Sequence, residues 1–547
     1  MLDKSKTSGP RLDLQRHLAD LEAAGLLLRI DRPIDKDTEL IPLVRWQFIG
    51  GVAEDQRRAF LFSNVTDGKG RRYDMPVVVG ALAASPAIYA IGMGRPVAEI
   101  GDAWMAAIQH PIPPVLTDDA PCQEIVVAGD ELRREGLKAL PVPVSTPGFD
   151  AAPYLTATLC VTRDPDTGVQ NYGTYRVALK AADRAVVRMV AREATGAGGF
   201  LHWLKYRERK ETMPIAVVVG CAPVVMFTGP QKLATDMDEM GVAGAAAGAP
   251  IRMARCRTVA LDVPADAEIV VEGVIDPDLL EPEAPFGESN GYVALEGYNM
   301  PIAVTAITRK RKPVFAQIIS QVTPSESSVI KKVAYEPLFL AHLKKDLGVK
   351  GILRVAMHER LTNLRPVIFL QFAAGTPRTE VWRGLNGAAT LQSNCGKIVI
   401  AVSEDVDPAS MDAVLWSLAY RSNPVEDMHI TPPRGGVQGA QYGPRQTDSG
   451  LLVDATRKRP MPPLALPTRE HMEHARALWE ELGLPALNVQ APWHGYILDD
   501  WTDTWEAYAR RAAAGDWEES GRETLARQRR GLMPETPVRP DQASEEE

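Results

Sequence analysis

Cysteine is scarce: there are five residues among 547, at positions 122, 160, 221, 256 and 395, and no Cys-x-x-Cys pair. An odd number at wide spacing reads against a disulfide framework or a structural zinc site and predicts reduced thiols. Histidine is thin as well, with nine scattered residues. The pair His471 and His474 lies in a charged helical stretch, "PTREHMEHARALWEEL", read as a solvated helix face, so metal chemistry would have to use oxygen ligands. Long apolar runs are missing, and the opening "MLDKSKTSGPRLDLQRHL" lacks the apolar core of a signal peptide. No membrane span is expected, and the expected address is cytoplasmic. An excess of positive charge is also absent: 61 Lys and Arg stand against 70 Asp and Glu, for a net charge of -9, which argues against a protein whose main task is to grip nucleic acid. Two glycine-bearing stretches, "GAGG" at 196–199 and "GLNGAATLQSNCGKI" at 384–398, fail as nucleotide fingerprints. The first lacks the three-glycine pattern, and the second lacks a Ser or Thr after its lysine.

What is present is an ordinary globular composition, 45% hydrophobic and 24% charged, long enough for several domains. Leucines at helical spacing over 12–25, "LDLQRHLADLEAAG", end at a glycine and predict a capped amphipathic helix. Short apolar runs and helix-like stretches make residues 1–118 a mixed α/β region, closed by the Pro-rich "HPIPPVLTDDAPC". Over 119–328 the texture becomes β-branched runs separated by turns, from "CQEIVVAG" to "PVFAQIIS", which predicts a barrel or sandwich. A linker helix is expected over 329–348 and a second α/β domain over 349–458, where "GKIVIAVSEDVDPASMDAVLWSLAY" reads as strand, acidic turn and helix. The tail, 459–547, reads as helices near 468–484 and 498–530 with a disordered end. The fold class is α/β (α+β).

The chemistry concentrates in three motifs. "EPEAPFGESN", 281–290, sets Glu283 and Glu288 five residues apart across a Pro-Phe-Gly bend. That spacing suits neither a helix face nor a strand face, so the bend itself has to bring both acids into one pocket. "QNYGTYRVALK", 170–180, puts Arg176 at the start of an apolar strand with Asn171 before a glycine turn, offering a permanent cation able to hold a carboxylate in bidentate fashion. "DEMGVAGAAAGAP", 238–250, reads equally as a tightly packed helix or as a backbone allowing close approach, with Glu239 aimed at a cation. One glutamate fixed by arginine and a second carrying a transferable proton is the division of labour of a general acid/base site. In that reading Glu283 pairs with Arg176 while Glu288 stays free. A structural buried salt bridge is the competing reading.

"NYGTYR", "DEMGVAGAAAG", "EPEAPFGESNGY", "KIVIAVSEDVD" and the closing "GLLVDATRK" resemble, in order and rough spacing, the landmarks of the UbiD-like decarboxylases, which use prenylated FMN. The resemblance covers roughly residues 10 to 460. It implies a split β-barrel flavin domain between two α/β regions, with the C-terminal one supplying oligomer contacts in a dimer or hexamer. It implies a catalytic Glu-Arg-Glu network of Glu283, Arg176 and Glu288, with Glu288 protonating the product. It implies divalent metal ligands Asn171 and Glu239, usually for manganese and often with potassium nearby. Flavin-lining segments are implied at Thr174, Tyr175 and Arg176 and at Arg188, Met189 and Val190, with Lys397 reaching the cofactor. Where some members have a third, histidine ligand this chain has Arg192, and the next histidine is His202.

The implied reaction is a reversible, non-oxidative decarboxylation through a covalent adduct with prenylated FMN, the cofactor being supplied by a flavin prenyltransferase. The length and the long Trp-containing tail resemble the larger aromatic-acid members, which makes an aromatic or α,β-unsaturated acid or its CoA thioester, of the phthaloyl-CoA type, the leading substrate. A 4-hydroxy-3-polyprenylbenzoate decarboxylase of quinone biosynthesis is the alternative within the family. A non-catalytic flavin-binding subunit of a carboxylase complex and a conventional FMN oxidoreductase are the alternatives outside it.

Overall fold

The computed structural model describes residues 13–534 apart from 190–196, 232, 234–236, 284, 359–365, 393–394, 433–448, 488, 490–491 and 499–500. The chain divides into two compact units, Met1–Val402 with Ser422–Ala455, and Ser403–Arg421 with Thr456–Glu547. The larger unit opens on the helix Leu14–Ala23, whose N-cap Asp13 accepts from the Arg16 N–H and whose buried face is Leu14, His17, Leu18 and Leu21. Gly25, at φ +70°, supplies the left-handed turn that ends it. A four-stranded sheet follows in the order Leu27–Ile30, Ala59–Phe62, Val77–Val79, Phe315–Gln317. The last of these strands was expected among those of the middle region. It pairs instead in parallel with Val77–Val79, because its three residues are all buried and complete the edge of the N-terminal sheet.

The central sheet has ten strands: β1 (Ile125–Ala128), β2 (Tyr154–Leu155), β3 (Thr158–Arg163), β4 (Gln170–Gly173), β5 (Val177–Leu179), β6 (Arg184–Val187), β7 (Met213–Val219), β8 (Ile269–Ile275), β9 (Glu281–Glu283) and β10 (Gly297–Arg309). The path runs β4-β3-β7-β8-β10-β6-β5-β2, and β9 and β1 pair with β10 off that path. β7 and β8 read as near-continuous β-branched and apolar runs, "MPIAVVV" and "IVVEGVI", because the middle of the sheet is covered on both faces. The fold is mixed α/β, and among the described residues no sheet closes into a barrel. The stretch "RTVALDV" contributes to a separate three-stranded sheet through Asp262–Pro264, beside Arg252–Arg255. The small-residue motif forms the helix Glu239–Ala247, whose glycines serve packing: a Cβ on Gly244 would lie 2.8 Å from the Ile112 carbonyl oxygen.

The long helix starts at Glu326, capped by a Ser325–Ser328 capping box, and runs to Ala341. Glu326 is fully buried, and burial pushes its carboxyl up to about 7, against backbone hydrogen bonds from Ile319, Ala83, Gly80 and Leu82 that favour the anion. The native protein therefore keeps a proton that the unfolded chain gives up, so this contribution to stability is present at low pH and is lost as pH rises from about 4.5 to about 7. Its size is up to about 3 kcal/mol. Thermal unfolding followed from pH 5 to 8 is expected to show this decline, and Glu326→Gln to flatten it; an unchanged pH slope in the variant would exclude Glu326 as its source. Beyond the helix a five-stranded sheet runs in the order Ile352–Ala356, Val367–Phe372, Ile398–Ser403, Gly450–Ala455, Met428–Thr431. It is mixed: Ile398–Ser403 and Gly450–Ala455 are parallel, while the pairs at either edge are antiparallel.

The second unit contains the helix Met411–Arg421 and the tail helices Arg469–Glu481, Asp503–Ala514 and Trp517–Ala526. Its buried anchor is Arg421, whose Nη1 and Nη2 hold the two carboxylate oxygens of Asp405 at 2.8 and 2.5 Å. His471 and His474 sit on the first tail helix, which has no buried residue.

Candidate active site

β5 and β6 are antiparallel, with Val177 opposite Val187. That register brings Arg176, just before β5, beside Arg188, just after β6, and the Arg188 N–H donates to the Arg176 carbonyl at 3.1 Å. From the other side come the acids. β9 pairs with the start of β10, Glu283 opposite Gly297, and the chain then turns back through Phe286–Gly287 paired with Val293–Ala294. Glu288 and Tyr292 close the tip, the Glu288 N–H donating to the Tyr292 carbonyl at 2.9 Å.

Arg176 Nε and Nη2 hold Glu283 Oε1 and Oε2 at 2.6 and 2.9 Å, a bidentate pair. Arg176 Nη1 donates to Glu288 Oε1 at 2.5 Å, and Arg188 Nη1 reaches the same oxygen at 2.7 Å. Glu288 is thus not the free acid that the sequence suggested: one of its oxygens sits between two guanidiniums, because the β5–β6 register delivers the second arginine. The exposures divide the roles. Glu283 and Arg176 have side chains only 1% and 10% exposed, whereas Glu288 and Arg188 are 27% and 35% exposed. The inner pair is a buried ion pair and the outer pair is partly exposed. Arg176 also lies 4.6 Å from the Phe286 ring centroid, and Phe286 packs on Tyr154 at 4.3 Å, so the Pro-Phe-Gly bend supplies the aromatic floor of the cation. Burial works against charge on Arg176, yet the Glu283 hydrogen bond and the charges of Glu288 and Glu283 override it and raise its pKa above the ordinary value.

The bend is braced by a residue that the motif search passed over. Asp150 accepts from the Gly287 N–H at 2.9 Å and from the Thr146 N–H at 2.7 Å, fixing the backbone immediately before Glu288. The sequence signal was faint, since "STPGFDA" reads as an ordinary turn. Gly287 has no room for a side chain: a Cβ would lie 2.3 Å from Thr146 Oγ1 and 3.0 Å from Gln321 Cγ. Gly287→Ala is expected to cost about 1–3 kcal/mol of stability through overpacking and to displace Glu288, lowering the melting temperature and turnover together. An unchanged melting temperature would show that this contact gives way freely.

The other site residues gather around β4 and the turn to β5. Asn171 Nδ2 donates to Tyr175 Oη at 3.2 Å, and the Gly199 N–H donates to the same oxygen at 3.3 Å. Glu239 accepts from the backbone N–H of Tyr172, the residue after Asn171. Burial pushes the Glu239 carboxyl up to about 7, opposed by hydrogen bonds from its own N–H and from Tyr172. Glycines line this corner: a Cβ on Gly198 would meet Asn171 Oδ1 at 2.0 Å, one on Gly199 Met189 Sδ at 2.6 Å, and one on Gly229 Thr174 Oγ1 at 2.5 Å. Among the described residues no three His, Cys, Asp or Glu side chains gather as a metal site; the half-buried Glu239 carboxylate and the nearby Asn171 supply oxygen donors of the kind a divalent cation takes. His202 Nδ1 pairs with Thr162 Oγ1 at 2.9 Å, and burial lowers its pKa to about 4, so the ring is neutral. Lys397 is exposed at the start of Ile398–Ser403, in the five-stranded sheet. Val190 and Arg192 lie outside the described residues.

Three consecutive stretches match the domains of one family, 3-octaprenyl-4-hydroxybenzoate carboxy-lyase: its N-terminal domain over residues 18–108, its Rift-related domain over 114–322 and its C-terminal domain over 328–455. The chain belongs to the UbiD family. UbiD members are carboxy-lyases, and that is the activity class of this chain. HmfF of Pelotomaculum thermopropionicum, a UbiD-class enzyme solved in complex with FMN, is 26% identical with a TM-score of 0.73, over 85% of this chain and 99% of that one. Vanillic acid decarboxylase of Sedimentibacter hydroxybenzoicus, at 23% identity and a TM-score of 0.70 over 87% and 100%, is similar in fold. The Synechocystis protein sll0936 is 26% identical over 519 residues, 87% of this chain and 97% of its own length. Among the described residues no helix is long and apolar enough to cross a membrane.

Proposed function

We propose that this UbiD protein is a reversible, non-oxidative decarboxylase of an aromatic or α,β-unsaturated carboxylic acid, or of its CoA thioester, that uses prenylated FMN. The observation that carries the reading is the Glu283–Arg176–Glu288 cluster, one acid locked and one at the opening. A catalyst that must protonate a carbon after CO2 departs needs that asymmetry. When bound, the modified flavin supplies the electron sink that an sp2 carbanion lacks. The protein's own part follows from the geometry. Glu283 keeps Arg176 in one orientation, Arg176 presents its third N–H edge to the opening, and Glu288 holds and delivers the proton that replaces CO2. Asn171 and Glu239 would hold a divalent cation, manganese in this reading with potassium as a companion, beside the segment Thr174–Arg176. Arg188 and Met189 line the same corner.

By the same likeness the central sheet serves as the split-barrel flavin domain, and the protein acts as a homo-oligomer in the cytoplasm, its cofactor made by a flavin prenyltransferase. The phthaloyl-CoA type of substrate is favoured by length and tail. The test is CO2 release by protein produced with and without the prenyltransferase, across benzoic-type acids and their CoA thioesters. Turnover confined to the prenylated preparation supports the reading, and equal turnover with plain FMN would sink it.

A further inference from the structure

Resting on the reading of Asn171 and Glu239 as ligands of a divalent cation, we infer that Tyr175 is the positioning residue that turns the oxygen of the Asn171 carboxamide toward that cation. Asn171, Gly173 and Tyr175 stand two apart in "NYGTY", the spacing that puts side chains on one face of an extended chain. The middle position lets the outer two meet. A Cβ on Gly173 would lie 2.1 Å from Tyr175 Cζ and 2.2 Å from its Oη, so the ring folds back across bare backbone and its hydroxyl takes a hydrogen bond from Asn171 Nδ2 at 3.2 Å. Gly173 is not in the left-handed region of backbone space, so room for this ring is what calls for glycine there.

The hydroxyl is held by a second element as well. The Gly199 N–H, in the first turn of the helix Gly198–Arg209, donates to the same oxygen at 3.3 Å, and a Cβ on Gly199 would lie 3.2 Å from Tyr175 Cε2. The ring is thus seated against two glycines, one on β4 and one on the helix. Burial pushes the phenol up to about 12, so it keeps its proton, and the two N–H donors fill both lone pairs of its oxygen.

A carboxamide has two unlike ends, and only its oxygen can ligate a cation. With Nδ2 spent on Tyr175, the end left over is Oδ1, which has no hydrogen-bond partner among the described residues. That oxygen lies against Gly198, where a Cβ would come within 2.0 Å of it. Glu239 approaches the same strand one residue on, at the Tyr172 N–H. The opposite orientation of the amide would set an N–H donor against the cation and repel it. A phenylalanine at 175 would fill the same space and hold neither end.

The experiment needs no turnover. Mn2+ is titrated into the full-length, FMN-loaded protein and the free ion is followed by its electron paramagnetic resonance signal. Tyr175→Phe is expected to weaken Mn2+ binding roughly tenfold or more, the usual penalty for removing a partner that orients a metal ligand, with the melting temperature near that of wild type. Asn171→Asp supplies the control background, because either carboxylate oxygen can ligate and no nitrogen has to be held away. There Tyr175→Phe should change the affinity by less than about threefold, since the coupling it removes is already gone. An equal loss in both backgrounds would mean that the phenol acts through shape, and it overturns the inference; so does an unchanged affinity in Tyr175→Phe alone. Wild-type protein that takes up no Mn2+ would sink the cation reading itself and the role of Tyr175 with it. None of these results touches the decarboxylase reading, which stands or falls on the CO2 assay.

Discussion

Glu288→Gln is expected to lower turnover by about 10²- to 10⁴-fold, the usual contribution of a positioned general acid. The substitution is close to isosteric. The glutamine Oε1 can still accept from Arg176 Nη1 and Arg188 Nη1, so the hairpin tip keeps its place. What is lost is the proton, because a carboxamide cannot cycle between a donor acid and its conjugate base. The cluster also loses one negative charge facing Arg176 and Arg188. Flavin content and melting temperature should stay near those of wild type, and release of CO2 and incorporation of solvent deuterium into the product should fall in parallel. Full turnover in the variant would remove Glu288 from the role of proton donor.

Arg176→Met is expected to destabilise the fold by about 3–5 kcal/mol, the cost of leaving a buried carboxylate without its cation. Glu283 is the residue stranded: it is 1% exposed and takes both of its strong hydrogen bonds from Arg176, with Asn299 Nδ2 a distant third at 3.5 Å. The flexible thioether chain of Met would still cover Phe286, so the loss measures mainly the charge and not the packing. Replacing both partners, Arg176→Met with Glu283→Leu, should return most of the stability while leaving the enzyme inactive, since apolar replacement of a whole buried pair is close to neutral. Chemical denaturation of the three proteins gives the comparison. A single variant as stable as wild type would mean that Glu283 finds another partner. A double variant no better than the single one would mean that the loss is one of shape.

The acidic motif and Arg176 could be found from residues alone, because two carboxylates around a Pro-Phe-Gly bend have few structural uses and an arginine heading an apolar strand calls for an anion. Their contacts with one another followed. Arg188 as the second partner of Glu288 could not be found that way, because the contact depends on hairpin register. With Val177 opposite Val187, Arg176 faces Arg188, and a shift of one residue would have put Met189 or Val187 there. The stretch "YRVALKAADRAVVR" does hold the signal, two arginines flanking a hairpin symmetrically, once its turn is placed at 180–183. Phe315–Gln317 went astray for a related reason: three buried apolar or small residues carry no mark of the sheet to which they belong, and only the pairing with Val77–Val79 decides it. Asp150 stayed hidden because the contact that matters to the site, with the Gly287 N–H, joins residues far apart in sequence, while its other acceptor serves the local Thr146 N–H.

β10 has one further effect. In thirteen residues it pairs successively with β9 at Glu283, with β6, with β8 and with β1. Glu283 lies opposite Gly297, the first residue of β10, so freeing it needs the end of that strand to open and the buried pair with Arg176 to break, and its amide is expected to exchange more slowly than those of the tip. The Glu288–Tyr292 tip is held by a short two-residue ladder and can fluctuate without that cost. Amide exchange should therefore separate the two glutamates, five residues apart, with Glu283 the slower of the two.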